Sequence, residues 1–176
     1  MKNFFKKSYG KVTIWVLCLT IIDLIIKFLV VKFQLNVTLI ENVLRIVQVE
    51  NMGSAWGMPG NNLLNVIVSN AIVLGIIIKF INLQKERMDT KTLISLSLIL
   101  AGGVSNLFER LIRGRVTDYI QIFPGSNFPI FNLADFYIVV GWVMFAAILA
   151  YLTGSRKVGN LKRTELLAEI KKENKE

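Results

Sequence analysis

The chain has 176 residues, 53% of them hydrophobic, and a formal net charge of +9; this is too apolar for an ordinary soluble domain and points to a polytopic membrane protein. The charge does not indicate nucleic acid, because the basic residues cluster at the ends of apolar runs and not on a solvated face with groove-reading partners. Histidine is absent and Cys18 is the single cysteine, which excludes His-ligated zinc hydrolysis, Ser-His and Cys-His catalysis, an intramolecular disulfide and a thiol metal site.

Residues 1–11 are short and basic, and 12–31 form an apolar run close to the roughly 20 residues that a bilayer span requires. Lys32-Phe33-Gln34 follows where a signal peptide would have small residues, so the run is expected to be an uncleaved helix with its N-terminus in the cytoplasm. Asp23 and Lys27 interrupt it four residues apart, on one helical face where they can pair. They are either a structural ion pair turned toward the bundle or polar groups beneath an outward-facing site.

The first external stretch, 37–60, holds two β-favouring pieces, Val37-Thr38-Leu39-Ile40 and Leu44-Arg45-Ile46-Val47-Gln48-Val49, which predict a small sheet lying on the membrane. Asn51-Met52-Gly53-Ser54-Ala55-Trp56-Gly57 comes next; it is either a loop with an aromatic anchor or a site loop whose glycines permit close backbone approach.

The second span is expected at 63–83, with Asn65, Ser69 and Asn70 available for hydrogen bonds between helices. A short cytoplasmic turn bearing Lys85, Arg87 and Lys91 leads to the third span, 92–108, where Ser95, Ser97, Ala101, Gly102 and Gly103 are small enough for close packing. The fourth span is expected at 136–152. The tail, 153–176, is charged, and is either solvated or carries a short polar-faced helix over 164–172.

Asp118 lies beyond the third apolar run and Asp135 before the fourth, so both belong at one face of the bilayer, near headgroup level. Pro124-Gly125-Ser126-Asn127 is a turn signal that would fold the chain back and bring the two together. Carboxylates about 3 Å apart cannot both ionise, so one keeps a proton while the other can activate water. The plainer alternative is a pair of solvated loop residues capping helix ends.

Fifteen of the 21 basic residues fall on the N-terminus, the 79–91 turn and the tail, which places all three in the cytoplasm. Arg110, Arg113 and Arg115 then lie outside, where lipid phosphate is a candidate ligand.

Five pieces of this sequence together resemble the lipoprotein signal peptidases, or signal peptidase II family. They are Asp23-Leu24-Ile25-Ile26-Lys27, the 51–57 stretch, Gly103-Val104-Ser105-Asn106-Leu107-Phe108-Glu109-Arg110, Gly114-Arg115-Val116-Thr117-Asp118-Tyr119 and Phe128-Pro129-Ile130-Phe131-Asn132-Leu133-Ala134-Asp135. Any one is a weak signal; five in order, among four spans, are a strong one. The resemblance implies an all-α membrane protein, a single integral membrane domain of four helices with a small extracytoplasmic β-cradle. It implies an aspartyl endopeptidase of the bacterial inner membrane acting near the outer leaflet on diacylglyceryl-modified prolipoproteins, as a monomer among phospholipids and without metal or cofactor. By the same resemblance Asp118 and Asp135 are the catalytic dyad, and Asp23, Lys27, Asn51, Gly53, Asn106, Arg110 and Asn132 the substrate-binding positions. The sequence departs from the pattern at Glu109, where the family usually has Asp, and at Leu24, where Gln is common. A reading from another class is a small four-helix transporter in which Asp118, Asp135 and the Asp23–Lys27 pair form a relay.

Overall fold

A computed structural model describes residues 2–52, 63–84 and 88–173. The elements in chain order are α1 (Lys2–Lys32), β1 (Asn36–Ile40), β2 (Leu44–Asn51), α2 (Leu63–Gln84), α3 (Thr90–Arg113), β3 (Val116–Ile122) and α4 (Leu133–Glu173). All four helices contain a segment long and apolar enough to cross a membrane. The Trp56 and Gly53 stretch lies outside the described residues.

α3 is the axis around which the other helices pack, touching α1, α2 and α4. Its sequence explains this position, since Ser95, Ser97, Ala101, Gly102, Gly103 and Ser105 are all buried and small residues let backbones approach closely. A Cβ at Gly102 would collide with the Ala134 carbonyl and stand 2.8 Å from Ile138 Cγ1 on α4. Against the other side, Leu74 of α2 rests on Gly103, with Ile77 and Ile81 completing the only buried stripe of that helix.

The hydroxyls of the spans divide into two groups, and Ser69, expected to bond between helices, falls in the first. Ser69, Ser95 and Ser97 bond to carbonyls of their own helices, at Val66, Thr92 and Leu93. Thr20 of α1 donates to the Ala101 carbonyl at 3.2 Å, and Ser105 reaches α1 as described below.

α3 runs to Arg113, five residues beyond the apolar run, because its last turn buries Glu109 and Arg110 among charged partners. It stops at Gly114, whose φ of 72° is left-handed and whose N–H returns to the Arg110 carbonyl at 2.9 Å; only glycine enters this conformation without steric cost. α4 begins three residues earlier than the fourth apolar run, and continues unbroken through the charged tail, where a solvated tail or a short helix over 164–172 was the expectation.

The sheet has antiparallel order β1-β2-β3. β1 and β2 match the two β-favouring pieces, but β2 extends to Asn51, which pairs with Val116, while Val49 pairs with Asp118. β3 was not foreseen as a strand. The turn at Gly125, φ 93°, does return the chain, although through a single bridge, Ile120 with Phe131. Sheet and turn share one end of the bundle with the C-termini of α1 and α3 and the N-termini of α2 and α4.

Candidate active site

At that end Asp118 projects from β3 and Asp135 from the first turn of α4. Asn132 joins them. Its Nδ2 donates to Asp118 Oδ1 at 2.7 Å, its Oδ1 accepts the Asp135 N–H at 2.9 Å, and its own N–H donates to Asp135 Oδ2 at 3.2 Å. The last two bonds are a capping box: the cap residue and the third helical residue satisfy each other's backbone donors. The helix start and the carboxylate pair are thus one construction.

The remaining oxygens are also held. Asn51 Nδ2, at the end of β2, donates to Asp118 Oδ2 at 2.9 Å, and Asn106 Nδ2, on α3, donates to Asp135 Oδ1 at 2.8 Å. Four amide N–H groups from three asparagines therefore orient four carboxylate oxygens. Such donors stabilise charge, but burial works against it, and at Asp118, only 4% exposed, burial wins. Its carboxyl is pushed up to about 6, with the neighbouring Asp135 adding to the rise while Asn51, Asn132 and Lys27 oppose it. Beside it, the buried Tyr119 hydroxyl accepts the Leu133 N–H at 3.2 Å, and burial raises its pKa above the ordinary phenol value.

Asp23 and Lys27 do pair, at 2.8 Å, and both are almost fully enclosed. Asp23 Oδ2 also accepts from Ser105 Oγ at 2.6 Å, and its Oδ1 accepts the Ala134 N–H at 3.1 Å. Lys27 donates to Asn106 Oδ1 at 2.7 Å and lies 3.4 Å from Glu109 Oε2. Expected among substrate-binding positions, these two residues face protein on every side in this structure. Arg110 is buried as well, with Nη1 3.4 Å from the Asn106 carbonyl and within electrostatic range of Asp135, Asp118 and Glu109. Gly53 lies outside the described residues.

Glu109 has a larger part than its sequence position suggested. Its Oε2 accepts the Thr117 N–H at 3.0 Å and its Oε1 the Thr117 hydroxyl at 2.7 Å. Arg113 Nη1 donates to both Glu109 Oε1 and Thr117 Oγ1, at 2.6 and 2.8 Å. Glu50 on β2 then meets Arg113 at 3.4 Å and Arg115 at 2.7 Å. Two of the three arginines considered for lipid phosphate are thereby paired with carboxylates of the sheet and α3. The i to i+4 spacing of Glu109 and Arg113 was the available signal for this network.

Chemically, a buried carboxylate, Asp118, and a half-buried one, Asp135, with a shared amide bridge make an acid–base pair.

The signal peptidase (SPase) II family profile matches residues 15–151. A lipoprotein signal peptidase of Geobacillus thermodenitrificans (strain NG80-2) is 39% identical over 124 residues, which cover 67% of this chain and 76% of that protein. In fold the chain is similar to a bacterial membrane enzyme solved by the in meso method at 2.3 Å resolution, with a TM-score of 0.72 and 24% identity over 83% of this chain and 90% of that one. A second such structure, at 1.9 Å, gives a TM-score of 0.71 and 24% identity over 80% and 92%.

Proposed function

The chain belongs to the signal peptidase II family, and from that premise we propose that it is an aspartic endopeptidase that removes signal peptides from prolipoproteins, with Asp118 and Asp135 as its acid–base pair. The observation that carries this reading is the Asn132 bridge, which ties both carboxylates to one side chain.

Asp118, the more enclosed of the two at 4% exposed, keeps the shared proton; Asp135 is the base. Asp135 takes a proton from water as the water oxygen bonds to the scissile carbonyl carbon, and Asp118 donates its proton to the carbonyl oxygen. On collapse of the tetrahedral intermediate a hydroxyl of the gem-diol returns its proton to Asp118 as the C=O re-forms, the C–N bond breaks, and the amine leaves with the proton held by Asp135. Asn51, Asn106, Asn132 and Arg110 line this reaction space, and Gly53 is assigned to substrate binding by the family pattern alone.

The substrate is a prolipoprotein whose cysteine already carries diacylglycerol. Such an anchor stays in the bilayer while the preceding peptide bond reaches headgroup depth, the level of a site at the bundle end. The termini are cytoplasmic and the dyad lies at the outer leaflet of the bacterial cytoplasmic membrane, in keeping with the distribution of Lys and Arg. A relay for transport is less well supported, because relay carboxylates belong near the midplane.

Purified protein incubated with diacylglyceryl-modified prolipoprotein should produce the mass shift of cleavage, and the unlipidated form should be cut far more slowly. Asp118→Asn and Asp135→Asn should each remove nearly all cleavage while leaving expression intact. A large residual activity in either would refute the aspartic mechanism. For topology, in a chain with Cys18 replaced, Ser126→Cys should react with an impermeant thiol reagent outside spheroplasts, and Glu86→Cys should not.

A further inference from the structure

Lys27 is 2% exposed, so no substrate reaches it from outside. An ammonium has three N–H donors and no acceptor. Lys27 has three acceptors within 3.4 Å, namely Asp23 Oδ2, Asn106 Oδ1 and Glu109 Oε2. Its capacity is filled by the protein, and none remains for a lipid phosphate.

Each acceptor leads to the dyad in one step. Because Lys27 can only donate, the end of the Asn106 amide facing it must be the oxygen, which leaves Nδ2 as the end that meets Asp135. Glu109 holds the N–H and the hydroxyl of Thr117, the residue before Asp118. Asp23 holds the N–H of Ala134, the residue before Asp135.

Resting on the aspartic reading above, we propose that Lys27 is a positioning residue for catalysis: it fixes Asn106 as a donor to Asp135 and, through Glu109 and Asp23, holds the backbone that carries both carboxylates. Without Lys27 the Asn106 amide is free to turn and present its oxygen to a carboxylate. The charged groups around Lys27 are Asp23 on its own helix and Glu109 on α3; around the dyad they are Arg110 on α3, Asp118 on β3 and Asp135 on α4, with the Tyr119 hydroxyl beside them. Lys27 is also among the charges that keep Asp118 below the value that burial alone would give it.

Lys27→Met alone would strand Asp23 as a buried, unpaired carboxylate, a change that often unfolds a protein. The test therefore uses Asp23→Asn combined with Lys27→Met, since the new amide oxygen can still accept the Ala134 N–H. On diacylglyceryl-modified prolipoprotein, kcat of this pair should fall about tenfold or more, the scale of one lost charged hydrogen bond, with KM within about twofold. Because this pair of changes removes a carboxylate along with the ammonium, the local net charge is unchanged and the alkaline limb of the pH profile should stay near its parental position. Lys27→Arg should keep the parental pH profile and most of kcat. Asn106→Leu, which leaves the ion pair in place, should reproduce the kcat loss, and so serves if the double variant does not fold.

A raised KM with unchanged kcat would assign Lys27 to substrate binding, and lowered thermal stability with kcat unchanged would leave it a structural role only; either overturns the proposal. So would full kcat in Asn106→Leu. Asp135→Asn measured in the same assay separates the two readings: if it cleaves like the parent, the aspartic mechanism itself is at fault.

Discussion

α2 and α3 are similar in length, 22 and 24 residues, and both contain a segment apolar enough to cross a bilayer, but α3 is 67% buried over that span and α2 17%. Two helices in the same solvent have opposite tasks. α2 leaves a largely apolar surface exposed, interrupted by Asn65, Ser69 and Lys79, and packs on the protein along Leu74, Ile77 and Ile81. α3 turns glycines, serines and then Asn106, Glu109 and Arg110 inward, because the three other helices shield them from hydrocarbon. Ionisable groups within a membrane are costly unless paired in a bundle interior, so the helix at the centre is where site-building residues can be carried.

The sharpest way to break this contrast is to enlarge the α3 surface. Gly102→Leu drives a side chain into the Ala134 carbonyl and Ile138, so it should yield little detergent-stable protein and no activity in membranes, measured by size-exclusion recovery and prolipoprotein cleavage. A smaller effect is expected from Asn132→Ala, which folds but loses the donor to Asp118 and the cap of α4. Cleavage should fall about 10- to 100-fold, equivalent to a lost hydrogen bond to a charged group of about 1.5–3 kcal/mol.

The third prediction concerns pH and stability. Asp118 rises from 3.8 to about 6 on folding, so between these values the folded chain holds a proton that the unfolded chain releases. Stability should therefore fall as pH rises through about 4 to 6, by on the order of 3 kcal/mol in all, and stay low above that window. In Asp118→Asn that loss should be missing, so thermal midpoints in detergent at pH 4 and pH 8 should differ less than in the parent. The smallest effect belongs to α2: Ile76→Ala, at a residue 62% exposed, should change detergent stability by less than about 0.5 kcal/mol, and a larger loss would mean that α2 packs against more than α3.

Much of this arrangement was legible in the residues. Apolar runs located four helices and β-branched runs located β1 and β2, since both signals depend on local pattern. The five family-like pieces brought Asp118, Asp135, Asn132, Asn106 and Asn51 forward, and these residues do converge. β3 escaped notice because its third residue is Asp118, and a strand holding a buried carboxylate breaks the apolar pattern by which strands are recognised. The last turn of α3 was missed for the same reason: Glu109 and Arg110 look like the end of a span until their partners on β3 and α1 are known. The Asn132-to-Asp135 spacing, by contrast, is a helix-start signature of the capping-box kind that the sequence displayed and that moves the start of α4 to Leu133.

α4 is one helix of 41 residues, about 60 Å from tip to tip, where the hydrocarbon layer is about 30 Å thick. The dyad sits at one tip. Geometry makes such a rod an amplifier: tilting it by about 10° about the end that holds Asp135 sweeps the other tip through roughly 10 Å. Any rocking of α4 as a peptide enters or leaves would thus be magnified at the far end, where spectroscopic distance labels can be attached without disturbing the reacting groups.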